Sequence, residues 1–343
     1  MASGAAAAAA ELEALLGGQG WPVPPEGGGC EAGPPGRHPP EPARLRRNAC
    51  FVVMALVFNE QEEVLMTQEA KAECRGRWYL PAGRMEPRET AAEALRREVA
   101  EETGLCCQPT ALLAVEERGP AWIRIVFLAR PTGGRLKTLQ EADEESLQAR
   151  WWNRETPALP LRARDILPLM ELAVQYRARP SHPPSLPVEL PCPFICQRLL
   201  LACLGPSGEA LWLLLATPAA TEEGAHPHLP LAASGLSREE QSQGLLVATQ
   251  RLLQKCLPQA QAAVRILGLL GLQHLGREPG HSDGICFNLV AVIGGPGQPP
   301  LPQEECPPAL QSQAFTWWKV EEEALRDRLL QRLRANAFLP LRS

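Results

Sequence analysis

Nowhere do the 343 residues run to the roughly 18 consecutive uncharged apolar residues that a membrane-spanning helix needs, so none is expected. The amino terminus, MASGAAAAAAELEALLGG, lacks the positive start and the longer apolar core of a secretory signal. It is also poor in arginine, which argues against a mitochondrial presequence. Positive charge is not in excess: 34 Lys+Arg stand against 39 Asp+Glu, a net charge of −5. That excludes the electrostatic footprint of a duplex nucleic-acid binder, and the local Arg44-Leu45-Arg46-Arg47 cluster reads as a solvated edge. The 11 cysteines include neither a CxxC pair nor a Cys/His cluster at zinc spacing; Cys106 and Cys107 are adjacent, and Cys192 and Cys196 stand apart from the rest. Free thiols in a reducing cytoplasm or nucleus are the expectation.

What the chain does have is 45% hydrophobic residues, ample for packed cores, and a length that suggests two domains. Residues 1–43 are an alanine run followed by Gly/Pro-rich text. Such text buries too little apolar surface to offset its ordering entropy, so it is expected to be disordered apart from a short helix over Glu11–Leu16. A second break, RARPSHPPSLPVELP (177–191), reads as a Pro-rich linker. The folded parts are then 44–176 and 192–343.

In the first of these, CFVVMALVF (50–58) and VLMTQEA (64–70) read as two strands of a hairpin. ALLAVEE, WIRIVFLAR and ARWW supply further strands. DILPLMELAVQY (165–176) reads as an amphipathic helix, with Pro168 in its first turn, where proline is tolerated. Mixed strands with two separated helices predict an α/β sandwich, a mixed sheet between helices.

Between strands lies GRMEPRETAAEALRREVAEETGL (83–105). The spacing predicts a helix from Thr90 to Thr103, closed by Gly104 as a glycine following the helix. Ala92, Leu95 and Val99 form a stripe that can enter a core. Glu98, Glu101 and Glu102 fall at i, i+3 and i+4 and share one face. A solvated acidic face is one reading of such a run. Against it, same-face glutamates repel and no lysine interleaves them, whereas a hard divalent cation takes carboxylate oxygens, waters and phosphates.

The segment resembles the Nudix box, G-x5-E-x7-R-E-U-x-E-E-x-G-U with U apolar, at Gly83, Glu89, Arg97, Glu98, Val99, Glu101, Glu102, Gly104 and Leu105. WYLPAG before it looks like the family's aromatic-x-x-Pro-Gly-Gly approach, and the likeness covers about 48–176. The resemblance implies a Nudix α/β/α sandwich and hydrolysis of a nucleoside diphosphate linked to another group. It implies that Glu98, Glu101 and Glu102, with the backbone carbonyl of Ala82, bind Mg²⁺ or Mn²⁺. Glu89 and Arg97 would brace the loop against the helix, and a general base would come from Glu144 or Glu145 in the later acidic loop. Gly83, Leu80, Leu65 and Gln68 would lie at the substrate, with at most one of Leu65 and Gln68 facing the pocket because they alternate along a strand.

CRGRWYLPAGRMEP, VEERGP and FLARPTGG are similar to MutT-like members that act on oxidised purine nucleoside diphosphates such as 8-oxo-dGDP. The implied partner is a small-molecule nucleotide, with neither duplex nucleic acid nor membrane. Pro120 leaves open an ADP-ribose or nucleotide-sugar hydrolase, whose members often carry a proline there. A third reading is a non-catalytic Nudix-fold binding protein. One departure is Arg88, where relatives commonly have glycine; if that position needs a positive φ, arginine is strained there.

The second half carries no box. RLLLACLG-PSGEA-LWLLLAT nevertheless repeats strand, turn, strand, and ASGLSREEQSQGLLVATQRLLQKCL (233–257) keeps the box spacing, 152 residues on. Gly83 falls on Gly235 and Leu105 on Leu257, while the four glutamates fall on Gln241, Gln250, Leu253 and Gln254. The expectation is a second, degenerate Nudix-like α/β domain without a metal site, its helix near 241–256, in contact with the first.

Overall fold

The structure is a computed structural model. It describes residues 2–24, 30–31, 41–119, 122–155, 157–205, 208–217, 226–234, 244–257, 264–293 and 307–342. Pro120, Gly235, Gln241 and much of the Gly/Pro-rich text between 25 and 40 lie outside the described residues.

The amino-terminal expectation needs correction first. Helix α1 spans Ala2–Leu16, so the alanine run is helical as well as the segment after it. Alanine has the highest helix propensity, which counts against reading a pure alanine run as disordered. Packing fixes the helix: Ala8, Leu12, Leu15 and Leu16 are buried against Leu200, Leu213 and Leu329 of the second half. Glu11 lies beside Arg198, 2.9 Å away, and both are buried. A two-residue strand, β1 (Cys30–Glu31), then pairs in parallel with a strand of the second half.

The first half holds β2 (Cys50–Val57), β3 (Val64–Glu69), β4 (Trp78–Tyr79), β5 (Ala82–Arg84), α2 (Ala91–Thr103), β6 (Leu105–Gly119), β7 (Trp122–Gly134), β8 (Ser146–Trp152) and α3 (Leu167–Ala178). In the larger sheet β2 runs parallel to β7 and antiparallel to β5, and β6 runs antiparallel to β7. β4, β3 and β8 form a separate sheet. β2 and β3 are therefore not the paired hairpin expected. β5 and β7 occupy both edges of β2, so only the bridge from Phe58 to Val64 joins it to β3. The turn between them is closed by Asn59, whose side-chain oxygen accepts from the amides of Gln61 and Glu63.

The second half repeats this plan with β9 (Ile195–Leu204), β10 (Leu211–Ala216), β11 (Leu231–Ala233), α4 (Leu246–Cys256), β12 (Val264–Gln273), β13 (Ile285–Ile293), β14 (Phe315–Lys319) and α5 (Glu323–Ala335). β9 is parallel to β13 and antiparallel to β11; β12 is antiparallel to β13, and β14 to β10. Each pairing has its counterpart in the first half, with the same direction. Here β9 and β10 do pair as a hairpin.

The two halves are knit together. One buried cluster runs from Phe51, Leu95 and Leu112 through Leu199, Phe287 and Leu289. A final strand, β15 (Leu341–Arg342), crosses back to pair with β6 at Val115 and Glu116. The 177–191 stretch is an ordered strap, not a loose tether: the Leu112 amide donates to Ser185, and those of Val188 and His274 exchange bonds with Leu272 and Val188. Proline-rich sequence still leaves carbonyls and the remaining amides to pair, and both sheet edges accept them. Among the described residues no helix is long and apolar enough to cross a membrane.

Candidate active site

α2 begins at Thr90, whose hydroxyl accepts from the Glu93 amide while Glu93 accepts from the Thr90 amide, a full capping box. It ends at Gly104 in the left-handed conformation, as its sequence predicts. The stripe that enters the core is Ala91, Ala94, Leu95 and Val99; Ala92 stands only half-buried at its margin. Because the buried arc is wider than expected, it takes in two of the glutamates. Glu98 and Glu102 are buried, whereas Glu101 is exposed.

Burial pushes the Glu98 carboxyl up, against the pull of Arg97, and neighbouring Glu101 and Glu145 add to the rise. Burial pushes Glu102 well above the usual carboxylate range; the Ala82 amide opposes this, and Glu98 and Glu69 reinforce it. Ala82 reaches Glu102 through its N–H, which donates to Oε2 at 3.0 Å. Gly83 stands beside it for a steric reason: a Cβ there would collide with the Glu98 carboxylate. Its role is thus to make room for a carboxylate.

Glu89 and Arg97 meet as a two-pronged pair. Arg97 Nε donates to Oε2 at 3.0 Å and Nη2 to Oε1 at 2.7 Å, while Glu89 also accepts from the Glu86 amide. The same guanidinium reaches Glu98 at 2.8 Å and Glu101 at 3.1 Å. Arg88 has φ 74°, so the arginine occupies the left-handed region that its position in the box raised as a concern.

Two expected substrate contacts are corrected. Leu65 and Leu80 are wholly buried, Leu65 in the core beneath α2 and Leu80 among Met54, Tyr79 and Val126. Strand alternation puts Leu65 inward, and Leu80 follows β4 into the core on the opposite side of the sheet. Gln68, on the other face of β3, is half-buried; its amide donates to the Gly76 carbonyl and accepts from Gln148 at 2.8 Å. Glu144 and Glu145 lie in the exposed loop before β8. Glu145 is close enough to Glu98 to add to the rise of its pKa.

The sequence reading missed what holds the other end of α2. Thr67 and Ser146 hydroxyls donate to the Glu102 carbonyl at 3.2 and 2.7 Å, and buried Lys137 donates to the Glu101 carbonyl at 3.0 Å. Lys137 in turn pairs with Asp143 at 2.6 Å, which pins the loop carrying Glu145. A lysine between β7 and β8 carries no local signal of this role.

The donor set suits a hard cation. Two buried carboxylates lie on one face, with Glu98 helping to raise the pKa of Glu102; an exposed third lies one turn away, and all offer anionic oxygen. Among the described residues no three such groups converge as a ready-made ligand set; Arg97 supplies the compensating charge between Glu98 and Glu101.

Comparison with known proteins adds the following. The family model for the NUDIX domain matches residues 50–171. The chain is 53% identical over 333 residues to the 8-oxo-dGDP phosphatase NUDT18 of Homo sapiens, covering 97% of this chain and 98% of that protein. It is 50% identical to the protein of that name in Mus musculus, with the same two shares. Its counterpart in Danio rerio is 44% identical over 306 residues, 88% of this chain and 90% of that one.

Proposed function

The chain belongs to the Nudix family, and from that premise we propose that it hydrolyses 8-oxo-dGDP and kindred oxidised purine nucleoside diphosphates to the monophosphate and phosphate, removing them from the nucleotide pool. The observation that carries this reading is the likeness, end to end, to phosphatases named for that substrate. The family works with a divalent cation, here Mg²⁺ or Mn²⁺, which Glu98, Glu101 and Glu102 would hold with the Ala82 backbone. When bound, the cation neutralises charge on the phosphates and orients the water that attacks phosphorus.

The remaining work falls to the chain's own residues. Gly83 leaves the Glu98 carboxylate its place, and the Glu89–Arg97 pair sets the loop against α2. Glu145 or Glu144 of the loop before β8 accepts the proton of the attacking water, and the electrostatic effect of Glu145 on Glu98 supports Glu145 for that role. Gln68 and Gln148 present linked amides that suit the polar edge of a purine. The second half acts as a partner, not a second catalyst: Gln250, Leu253 and Gln254 on α4 offer no anionic oxygen. The free thiols of the described cysteines support a cytoplasmic or nuclear setting.

The test is a panel of nucleotides at equal concentration with Mg²⁺. The expected order is 8-oxo-dGDP far above dGDP, with ADP-ribose and nucleoside triphosphates slower than 8-oxo-dGDP. Equal rates on dGDP and 8-oxo-dGDP, or faster hydrolysis of ADP-ribose, would overturn the substrate assignment.

A further inference from the structure

The strained arginine of the catalytic loop has an unusual neighbour. The loop between β12 and β13, residues 274–284, leaves the second half and packs on residues 88–93. Gly276, at φ 72°, lies so close that a Cβ would collide with the Glu89 carbonyl oxygen. Arg277 Nη2 donates to Glu93 at 2.6 Å, and its Nη1 reaches the Arg88 carbonyl at 3.4 Å. Glu93 is itself the capping-box acid that holds the Thr90 amide at 2.9 Å. The second half thus meets backbone positions 88 and 89 directly and 90 through Glu93, while Glu89 ties the segment to Arg97 on the other side.

The gripping loop is itself stiff. Gly276 donates to the Ser282 carbonyl, Glu278 to the Ser282 hydroxyl at 2.8 Å, and Gly280 to Asp283 at 3.0 Å. Asp283 is buried and also accepts from the Leu45 amide, before β2. His274 is wholly buried, its Nδ1 2.7 Å from the Gly284 carbonyl and its ring set edge-on to Phe51 of β2, 5.7 Å between centroids. The loop is therefore anchored to the first half on both flanks of its contact with residues 88–93.

We propose that this loop is a positioning device: Gly276 and Arg277 of the second half hold Arg88 in its left-handed conformation, and thereby hold Glu89 on Arg97 and α2 in catalytic register. A glycine at position 88 would adopt φ 74° at no steric cost, whereas arginine carries a cost there that its surroundings have to offset. Removing that constraint lets the peptide relax and draws Glu89 away from Arg97. The second half then contributes to catalysis without touching substrate. This rests on the hydrolase reading above.

The experiment uses the full chain, with wild-type hydrolysis of 8-oxo-dGDP measured first, so that failure of the hydrolase reading shows before any variant is made. Arg277→Ala is expected to lower kcat by about 10-fold, with KM for 8-oxo-dGDP within about twofold, the size of effect seen when the support behind a metal ligand is lost. Amide exchange over residues 84–90 should rise in parallel, a readout independent of turnover. Adding Arg88→Gly to Arg277→Ala should restore both kcat and protection, because glycine keeps the conformation unaided. Gly276→Ala should show the larger defect, because its Cβ meets the Glu89 carbonyl, and Arg88→Gly should rescue it only in part. As a control, Arg328→Ala breaks a pair with Glu13 on the side of α1 and should change neither readout. Unchanged kcat in Arg277→Ala, or a defect that Arg88→Gly does not rescue, would overturn the proposal.

Discussion

Glutamine in place of Glu98 is expected to cut hydrolysis of 8-oxo-dGDP by on the order of 10²–10³-fold, the scale on which a fixed electrostatic contact to the reacting group acts. The double variant with Glu102→Gln should be lower still. The substitution keeps volume and removes only charge, so the stripe of Ala94, Leu95 and Val99 stays packed. Stability should not fall, because both carboxyls are buried, Glu98 repels the charge on Glu102, and Arg97 keeps its two-pronged pair with Glu89 when Glu98 is neutralised. A neutral amide relieves that repulsion. Thermal unfolding of the cation-free variant at or above the wild-type temperature, with turnover nearly gone, is therefore the joint expectation. A double variant that turns over at near-normal rate would show that α2 is not the site.

Gly83→Ala should be almost as damaging, by a different route. The new methyl group would occupy the place of the Glu98 carboxylate, and the carboxylate, as the end of a flexible side chain, is what moves. A displacement of about 1 Å at a reacting site costs roughly 100-fold, and that is the expected fall in kcat. Residue 83 sits in the short strand β5 facing Val53, without positive φ, so alanine suits the backbone and the unfolding temperature should hold. The check is kcat beside a melting curve. Retained turnover would mean that Glu98 need not sit where the structure puts it; a collapsed melting curve would mean that Gly83 is needed for folding instead.

The helix and its caps were legible from sequence because they are local: Thr90, Glu93 and Gly104 act within a few residues of their targets. So was the repeat in the second half, since strand pairing follows the order of apolar runs. What eluded the sequence was tertiary. The depth of α2 in the core, which buries Glu98 and Glu102 but leaves Glu101 exposed, depends on the strands it meets. Leu80 and Leu65 look alike in the text, and only the sheet shows that both are buried out of reach. Lys137, Ser146 and Thr67 converge on the end of α2 from 35 to 44 residues away, with no motif to mark them. The alanine helix α1 was missed because a weak preference became a fold element only through Leu12 and Glu11 meeting the second half. Arg88 is the intermediate case: its strain was visible from the box, but the Gly276–Arg277 grip was not.

The central claim, that the carboxylates of α2 hold the catalytic cation, is tested most directly by titrating the full-length chain with Mg²⁺. After the protein is stripped with a chelator, phosphate release from 8-oxo-dGDP should vanish, then return along a saturable curve as Mg²⁺ is added. In Glu98→Gln the curve should shift to much higher Mg²⁺ and reach a far lower plateau. Turnover that survives the chelator, or a Glu98→Gln curve that overlays the wild type, would contradict it.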